Sequence, residues 1–498
     1  MRKLTPGQIE KIQRATEDLL ANVGVAVMHD GLLQHARDAG ARVDEASGVV
    51  RLPAPLLREL LAQAPAEYQI ADIFGEEFTV GRAPSNGSFQ DKLRTGPSAS
   101  LRTGPSTPLR TGASCLAIVT DPWIIDYETQ QPRRPCLEDL RRHTIIAQEL
   151  EAVVAVSCMD YPVTDVEGPT SNLRAFQEHL THYSKHIYVL PTSVGSFERW
   201  LEIGEVLTQE RELAGSRLLT IGIPVLSPLR LTETNAELLI RSCAYDFPIV
   251  STVCPMAGTT GPYNQMGTLL LGNAENAFLA AMAQIVRPGQ PYLYAQGPSR
   301  TEMKSGDDLY YTLDKVLWKL GAAQLGQAYE LPVSSECGGT MTYRYDQQNG
   351  AEGMLFMLAA YESGASLLAG IGSCYNAVGM SAEMMVIQTA WLEAAQFLDR
   401  GIDDAGLGPA VESIKRVGPG GHYLADELTL KTLRTDEFFE QEIFDHSGVY
   451  GPYPSMLERA HERVEEMVSG FENPLPGQVR DDLEQYFHDF YARQGQHP

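Results

Sequence analysis

The side chains able to do chemistry fall into three sets. Acids and aromatics recur at Asp160-Tyr161, Tyr263, Tyr294, Glu302, Glu336, Tyr343, Tyr345 and Asp346, with Gln348 close behind. Aromatic faces are electron-rich and attract a quaternary ammonium, and carboxylates add direct charge attraction, so this set can build a cage for a methylated amine. Cys158, Cys254, Cys337 and Cys374 form the second set. Three thiolates can converge on zinc, which would activate a thiol acceptor, whereas a cysteine at a strand end is also simply a small, readily buried residue. The third set, His179-x2-His182-x3-His186, has ligand-like spacing. It falls where a helix enters a strand, and a structural role is the expectation. Gly338-Gly339 and Gly370-Ile371-Gly372 would let backbone approach a ligand closely.

Those residues need elements to position them. Eight short apolar runs recur: Cys115–Val119, Ala152–Cys158, His186–Pro191, Leu218–Ile223, Pro248–Cys254, Pro291–Gln296, Leu331–Glu336 and Ser366–Ile371. Most lack polar alternation, as strands buried on both faces do. Amphipathic stretches lie between them, among them Leu137–Leu150, Asn172–Ser184, Thr232–Tyr245, Leu269–Val286, Leu309–Gln327 and Gly350–Ser363. Eight strand–helix units in series predict an α/β chain folded as a (β/α)8 (TIM) barrel, whose chemistry sits just after the strands.

The expected organisation is an N-terminal helical and β extension (1–90), a flexible insertion (91–114), the barrel (115–400) and a mostly helical C-terminal extension (401–498). In the extension, Thr5-Pro6 caps a helix to about Ala21, a second helix covers Asp30–Ala39, a hairpin spans Val43–Leu52, and a third helix covers Pro53–Ala64. The insertion is an eight-residue repeat: Leu93-Arg94-Thr95-Gly96-Pro97-Ser98 returns as Leu101–Ser106 and, altered, as Leu109–Ser114. Tyr453–Gly470 and Gly477–Arg493 read as terminal helices, on an extension that either caps the barrel or builds a dimer interface.

The 498 residues carry a formal net charge of −25, which argues against nucleic acid and against an anionic membrane surface as partners. No apolar run approaches the roughly 20 residues of a membrane helix, and the start lacks a secretory stretch, so a cytoplasmic protein is expected. Seven scattered cysteines without CxxC pairs suit reduced thiols.

Much of the chain resembles the trimethylamine methyltransferase family of corrinoid-dependent methyltransferases. The resemblance runs through Leu20–Val25, Gly40–Asp44, Ala64-Pro65, Arg133-Arg134-Pro135, Ser227-Pro228-Leu229, Gly272-Asn273-Ala274-Glu275 and Arg287–Pro291. It continues through Glu330-Leu331-Pro332, Asp346-Gln347-Gln348 with Glu352, and Gly420–Leu424. The chain departs from the family at Tyr263-Asn264-Gln265, which follow Gly261-Pro262, and at Leu428-Thr429. The resemblance implies a (β/α)8 barrel that moves a methyl group from an amine to the cobalt(I) of a corrinoid (cobalamin) on a separate partner protein, with no tightly bound cofactor and no metal of its own. Some members carry pyrrolysine near the segment that is Ser334–Asp346 here, where only ordinary residues stand. Members without it resemble quaternary-amine demethylases, including those for glycine betaine. A quaternary nitrogen already carries a neutral leaving group, so such an amine is the expected substrate. Within that reading Glu302, Glu336 and Asp346 are the candidate catalytic residues. Tyr263, Tyr294, Tyr343, Tyr345 and Gln348 are the candidate substrate contacts. A zinc-dependent thiol methyltransferase and a non-catalytic methylamine-binding protein are the alternatives, and self-association stays open.

Overall fold

The computed structural model describes residues 3–81, 112–115, 123–157, 160, 163–166, 171–402 and 404–493. The repeat as far as Thr111, together with Cys158 and Tyr161, lies outside the described residues. At the centre is a sheet of eight parallel strands: Gly112–Cys115, Val153–Val156, His186–Val189, Leu219–Ile223, Ile249–Ser251, Tyr292–Leu293, Ser334–Glu336 and Leu367–Ala369. From the first to the sixth, each strand pairs with the next in sequence. The seventh pairs with the eighth, and the eighth returns to pair with the first, Leu367 opposite Gly112. A single bridge from Tyr294 to Val333 links the sixth strand to the start of the seventh. Every residue of His186–Val189 and Leu219–Ile223 is buried, which explains the unbroken apolar runs: both faces of these strands meet protein.

The first strand begins at Gly112, three residues before the apolar run at Cys115. Backbone pairing to Leu367–Ala369 and Val153–Val156 builds it from Gly112-Ala113-Ser114, residues with no apolar signature. The expected boundary between residues 114 and 115 therefore falls inside a strand. Helices follow the strands, several opened by a side-chain cap that satisfies otherwise orphaned N–H groups: Ser193, Thr232, Asp346 and Ser381. The helix Gln265–Val286 is long and apolar enough to cross a membrane by length and composition alone, a property missed in the sequence; most of it is buried inside the fold, with Asn273, Glu275 and Asn276 at zero exposure.

The N-terminal helix Pro6–Asn22 carries the expected Thr5 capping box. Strand Val25–Val27 runs parallel to Arg230–Leu231 and so ties this extension to the loop after the fourth central strand. A hairpin that sequence patterning did not reveal, Glu67–Ala71 with Glu77–Gly81, lies across the N-terminal ends of the central strands. Ala71 N–H donates to the Arg217 carbonyl at 2.8 Å, Ile73 N–H donates to the Ser184 carbonyl at 3.0 Å, and the Ser366 hydroxyl donates to the Gly81 carbonyl. These partners each precede a central strand. Tyr68, Ile70 and Val80 of the hairpin join Ala155, Tyr188, Val250, Leu293, Leu367 and Ala369 in one cluster, so the hairpin stoppers the inward face of the sheet from below. Fully burying side chains of this kind is worth about 1.5–3 kcal/mol each.

Candidate active site

A cavity of about 530 Å³, its open approach included, lies toward the C-terminal ends of the strands. Its wall is largely alternate residues of each strand, because side chains two apart share a face. Tyr188 and Leu190 come from the third strand and just beyond it; Val250, Thr252 and Cys254 from the fifth; Ala295 and Gly297 from the sixth; Ser334 and Glu336 from the seventh; Ala369 from the eighth. Tyr310, from the loop that follows the sixth strand, completes the lining. Small inward residues leave the space. A Cβ on Gly297 would meet the Tyr310 hydroxyl at 2.3 Å and Cys254 Sγ at 3.1 Å, so this glycine makes room for Tyr310.

Glu336 is the centre of the charge. Tyr310 O–H donates to its Oε1 at 2.5 Å, and the ammonium groups of Lys315 and Lys319 lie 3.0 and 3.8 Å from its Oε2. Lys319 Nζ also donates to the Glu336 carbonyl at 2.5 Å. Despite the short separation, Lys315 Nζ and Glu336 Oε2 are not aligned for a hydrogen bond, and Lys315 instead stands on the face of the Tyr310 ring. Lys319 sits over Phe356, 4.2 Å from the ring centre. Burial pushes the Glu336 carboxyl up, but the two lysines and the Tyr310 hydroxyl outweigh it and hold the group below the usual range, ionised. Burial pulls both lysines down, Lys319 to about 7, with Glu336 opposing the fall in each. Burial also lifts the Tyr310 phenol well above its ordinary value. Cys254 is exposed by area, yet what it faces is the cavity, with protein around it; this enclosure pushes the thiol up to about 11. The Tyr188 hydroxyl is buried at the cavity wall without a hydrogen-bond partner.

Of the acids, aromatics and Gln348 singled out in the sequence, Glu336 alone lines this cavity, joined by Cys254 from the cysteine set. Glu302 sits at the neck of the turn between Ser299–Thr301 and Asp308–Leu309, where its carboxylate accepts from Lys304 N–H at 3.2 Å. Asp346 caps the helix Gln347–Glu362 and pairs with Arg344 at 2.8 Å, which holds its carboxyl below the usual range. Gln348 is exposed and donates to Glu352. Tyr263 is exposed on a loop. Tyr294 is fully buried and turned toward the helix behind the sheet, its hydroxyl donating to Asn273 Oδ1 at 2.8 Å. Tyr343 packs edge-on against Tyr375, and the Tyr345 hydroxyl meets Ser381 Oγ at 2.7 Å. Asp160 is buried against His143, 2.6 Å from Nδ1. The cage expected from these residues is not assembled from them.

The other sets resolve in structural terms. His179 is 3.1 Å from Thr144 Oγ1, His182 donates to the Glu178 carbonyl at 2.8 Å, and His186 is 2.9 Å from Thr220 Oγ1. Burial drives His179 to about 3 and His186 to about 4, so both are neutral structural groups. Cys337 and Cys374 are buried while Cys254 faces the cavity, and among the described residues no three His, Cys, Asp or Glu side chains are grouped as a metal requires. Gly338 and Gly339 make room for protein rather than ligand: a Cβ on the first would lie 1.7 Å from the Gly370 carbonyl oxygen, and on the second 2.1 Å from the Tyr311 ring.

Tyr310, Lys315, Lys319 and Tyr188 were missed. Lysines four apart on a helix ordinarily mark its solvent face. The available signal was Val316, Trp318 and Leu320 around them on Asp314–Ala328, which leaves that helix no clear wet side. Two of the recurring motifs prove to be ties. Glu275 accepts from Ser227 Oγ at 2.7 Å and from Leu229 N–H at 2.8 Å, and Asn273 donates to Thr16 Oγ1 at 2.7 Å.

The parallel α/β sheet with a charged cavity at its strand ends shares its fold with solved methyltransferase structures. The chain superposes on the Methanosarcina barkeri monomethylamine methyltransferase with a TM-score of 0.51, covering 93% of this chain and 88% of that one at 10% identity. The hydroxylamine complex of the monomethylamine methyltransferase gives 0.52. The trimethylamine methyltransferase (MTTB) family profile matches residues 1–73 and 110–496, and the chain belongs to that family. It is therefore a methyltransferase. The unmatched stretch, 74–109, contains most of the repeat. Among curated relatives, the glycine betaine methyltransferase of Desulfitobacterium hafniense is 24% identical over 99% of this chain and 97% of its own length. A trimethylamine methyltransferase of the same species is 23% identical over 95% and 90%. The proline betaine:corrinoid methyltransferase of Eubacterium limosum is 27% identical over 52% and 55%.

Proposed function

We propose that this chain moves a methyl group from a quaternary or otherwise methylated amine, of the glycine betaine kind, to the cobalt(I) of a corrinoid carried by a separate protein. We read the central sheet as a closed (β/α)8 barrel with the reaction at its C-terminal end. The observation that carries the substrate class is the mixed charge of the cavity. Glu336 brings a carboxylate, Tyr310 a ring face and Tyr188 a hydroxyl with no partner, while two ammonium groups stand behind Glu336. With its carboxylate already balanced, the cavity has little net attraction for a plain cation. A zwitterion suits it better, its ammonium on the Tyr310 face and beside Glu336, its own carboxylate within reach of a hydroxyl donor.

The corrinoid supplies the nucleophile that takes the methyl group. The protein's residues supply position and dryness. Holding a reactant in an aligned, water-free pose is worth about 7–11 kcal/mol of a barrier in favourable cases. When the methyl group leaves a quaternary ammonium, the nitrogen keeps the bonding pair and departs as a neutral amine, so no residue need donate a proton. The absence of a required acid agrees with a cavity whose carboxylate is held ionised and whose phenol and thiol are held protonated.

The test is anaerobic methylation of cob(I)alamin, followed by absorbance, with a panel of betaines, other quaternary amines and trimethylamine. Turnover with one betaine supports the reading. Silence across the panel, with the cognate corrinoid protein also supplied, overturns it.

A further inference from the structure

The turn after the eighth central strand has an uncommon backbone. Tyr375, Asn376 and Ala377 follow one another with φ of +47°, +54° and +65°. Residues with a side chain enter this left-handed region singly, asparagine most readily, and a run of three persists only where its surroundings hold it. Here the turn grips two neighbouring loops. Asn376 N–H donates to the Thr340 carbonyl at 2.8 Å, and Tyr375 N–H to the Thr342 carbonyl at 3.2 Å, both in the loop after the seventh strand. The Asn376 side chain reaches the loop after the sixth. Its Oδ1 accepts from Tyr310 N–H at 2.7 Å and from Tyr311 N–H at 3.3 Å, and its Nδ2 donates to the Asp308 carbonyl at 2.6 Å. Asp308–Leu309 is the edge of a three-stranded sheet, paired only to Arg300 and Thr301. From such an edge a carbonyl and the N–H two residues on point the same way, and a primary amide offers the matching donor and acceptor. Asn376 thus acts as a one-residue strand on that edge.

We propose that Asn376 is a positioning residue for the methyl transfer: its amide fixes the backbone from which Tyr310 enters the cavity, and so sets the Tyr310 ring and hydroxyl against Glu336. The role presupposes the function proposed above for that cavity. The relay is short. Asn376 holds the N–H of Tyr310, the Tyr310 hydroxyl is 2.5 Å from Glu336 Oε1, and Tyr310 and Glu336 both line the cavity. The two partners of that hydrogen bond come from different loops. Glu336 ends the seventh strand and Tyr310 follows the sixth, and among the described residues one bridge, Tyr294 to Val333, pairs those two strands. Holding both loops with one turn supplies a registration that so sparse a pairing does not. Asparagine suits both duties, since it tolerates a φ of +54° and carries the amide.

Asn376→Gly tests this in the full chain, because glycine adopts the left-handed backbone freely while the amide is removed. Circular dichroism should match that of the unaltered chain. KM for the methylated amine should rise about 10-fold, as when an aromatic face is withdrawn from an ammonium. Tyr310→Ala added to it should raise KM little further, because the ring is already displaced. Asn376→Asp keeps the acceptor for both N–H groups and should recover part of the loss. A second comparison needs no substrate. Tyr310→Phe should lower the denaturation midpoint of the unaltered chain and leave that of Asn376→Gly almost unmoved, since the bond to Glu336 is already loosened. Were no amine turned over, the methyl-transfer reading would fall and this comparison alone would decide the positioning role. An Asn376→Gly variant that is less stable but keeps its KM, or effects that simply add to those of the Tyr310 substitutions in either comparison, overturns the proposal.

Discussion

Replacing Glu336 by Gln tests the reading of the cavity most directly. The substitution keeps the shape and removes the one counter-charge shared by two buried ammonium groups at 3.0 and 3.8 Å. Breaking a buried pair in this way typically costs about 3–5 kcal/mol. The lysines set a ceiling on that figure, because each can shed its proton instead. From an ordinary value of 10.5, neutralising Lys315 at pH 7 costs at most about 5 kcal/mol, at about 1.4 kcal/mol per pH unit. Lys319, already near 7 beside Glu336, has incurred most of that cost in the unaltered protein. A lysine depressed in the folded state binds fewer protons than in the unfolded chain between its two values, so stability rises with pH across that window. The unaltered protein should gain from Lys319 above pH 7, and from Lys315 only once the pH passes that group's own lowered value. The variant should gain from both lysines, at up to about twice the slope of about 1.4 kcal/mol per unit, until Lys315 of the unaltered protein releases its own proton. Denaturation midpoints measured at a series of pH values read this out. The variant should be several kcal/mol less stable at pH 7, and the gap should narrow steadily on raising the pH. A gap that is flat or widens with pH would refute the reasoning.

Tyr310→Phe removes a 2.5 Å hydrogen bond to an ionised carboxylate and should cost about 1.5–3 kcal/mol in stability. It leaves the ring face, so KM for the amine should hardly move, whereas Tyr310→Ala should raise it; equal KM for both variants would remove the ring from the site. Alkylation of Cys254 by iodoacetamide should be slow at neutral pH and accelerate toward about 11, with bound amine protecting the thiol; fast labelling at pH 7, read by mass spectrometry, would contradict its enclosure. Asp346→Ala should lower the melting temperature by removing a helix cap and leave turnover intact, and a collapse of turnover with the fold preserved would return that residue to the reaction.

The repeating strand–helix order was legible because a strand buried on both faces writes itself as an unbroken apolar run, as in Leu219-Thr220-Ile221-Gly222-Ile223. The caps were legible too, since Thr5-Pro6 is a chemical signal rather than a statistical one. The first strand was misplaced because Gly112-Ala113-Ser114 is made a strand by its neighbours and by nothing in its own side chains. The hairpin Glu67–Gly81 escaped for a similar reason: its apolar residues point into a space that exists only once the central sheet has formed. The site was legible only in part. Counting acids and aromatics after each strand found Glu336 and also collected a helix cap, a turn residue and a tyrosine facing outward from the sheet. Sequence position says that a residue follows a strand. Which side it faces depends on register, and a shift of one residue reverses it. The buried lysines were hidden by the ordinary preference of lysine for water, a preference overridden here by one carboxylate and two aromatic rings.

The hairpin under the sheet carries a consequence for the order of events. Among the described residues the hairpin closes the cavity from below, so on the function proposed above the amine and a methyl-accepting protein would share the opposite end. On that reading the amine enters first, and the demethylated product waits until the visitor withdraws. Such a cul-de-sac imposes a queue. Its kinetic signature would be a compulsory order of addition, with excess acceptor protein inhibiting by standing in the shared exit.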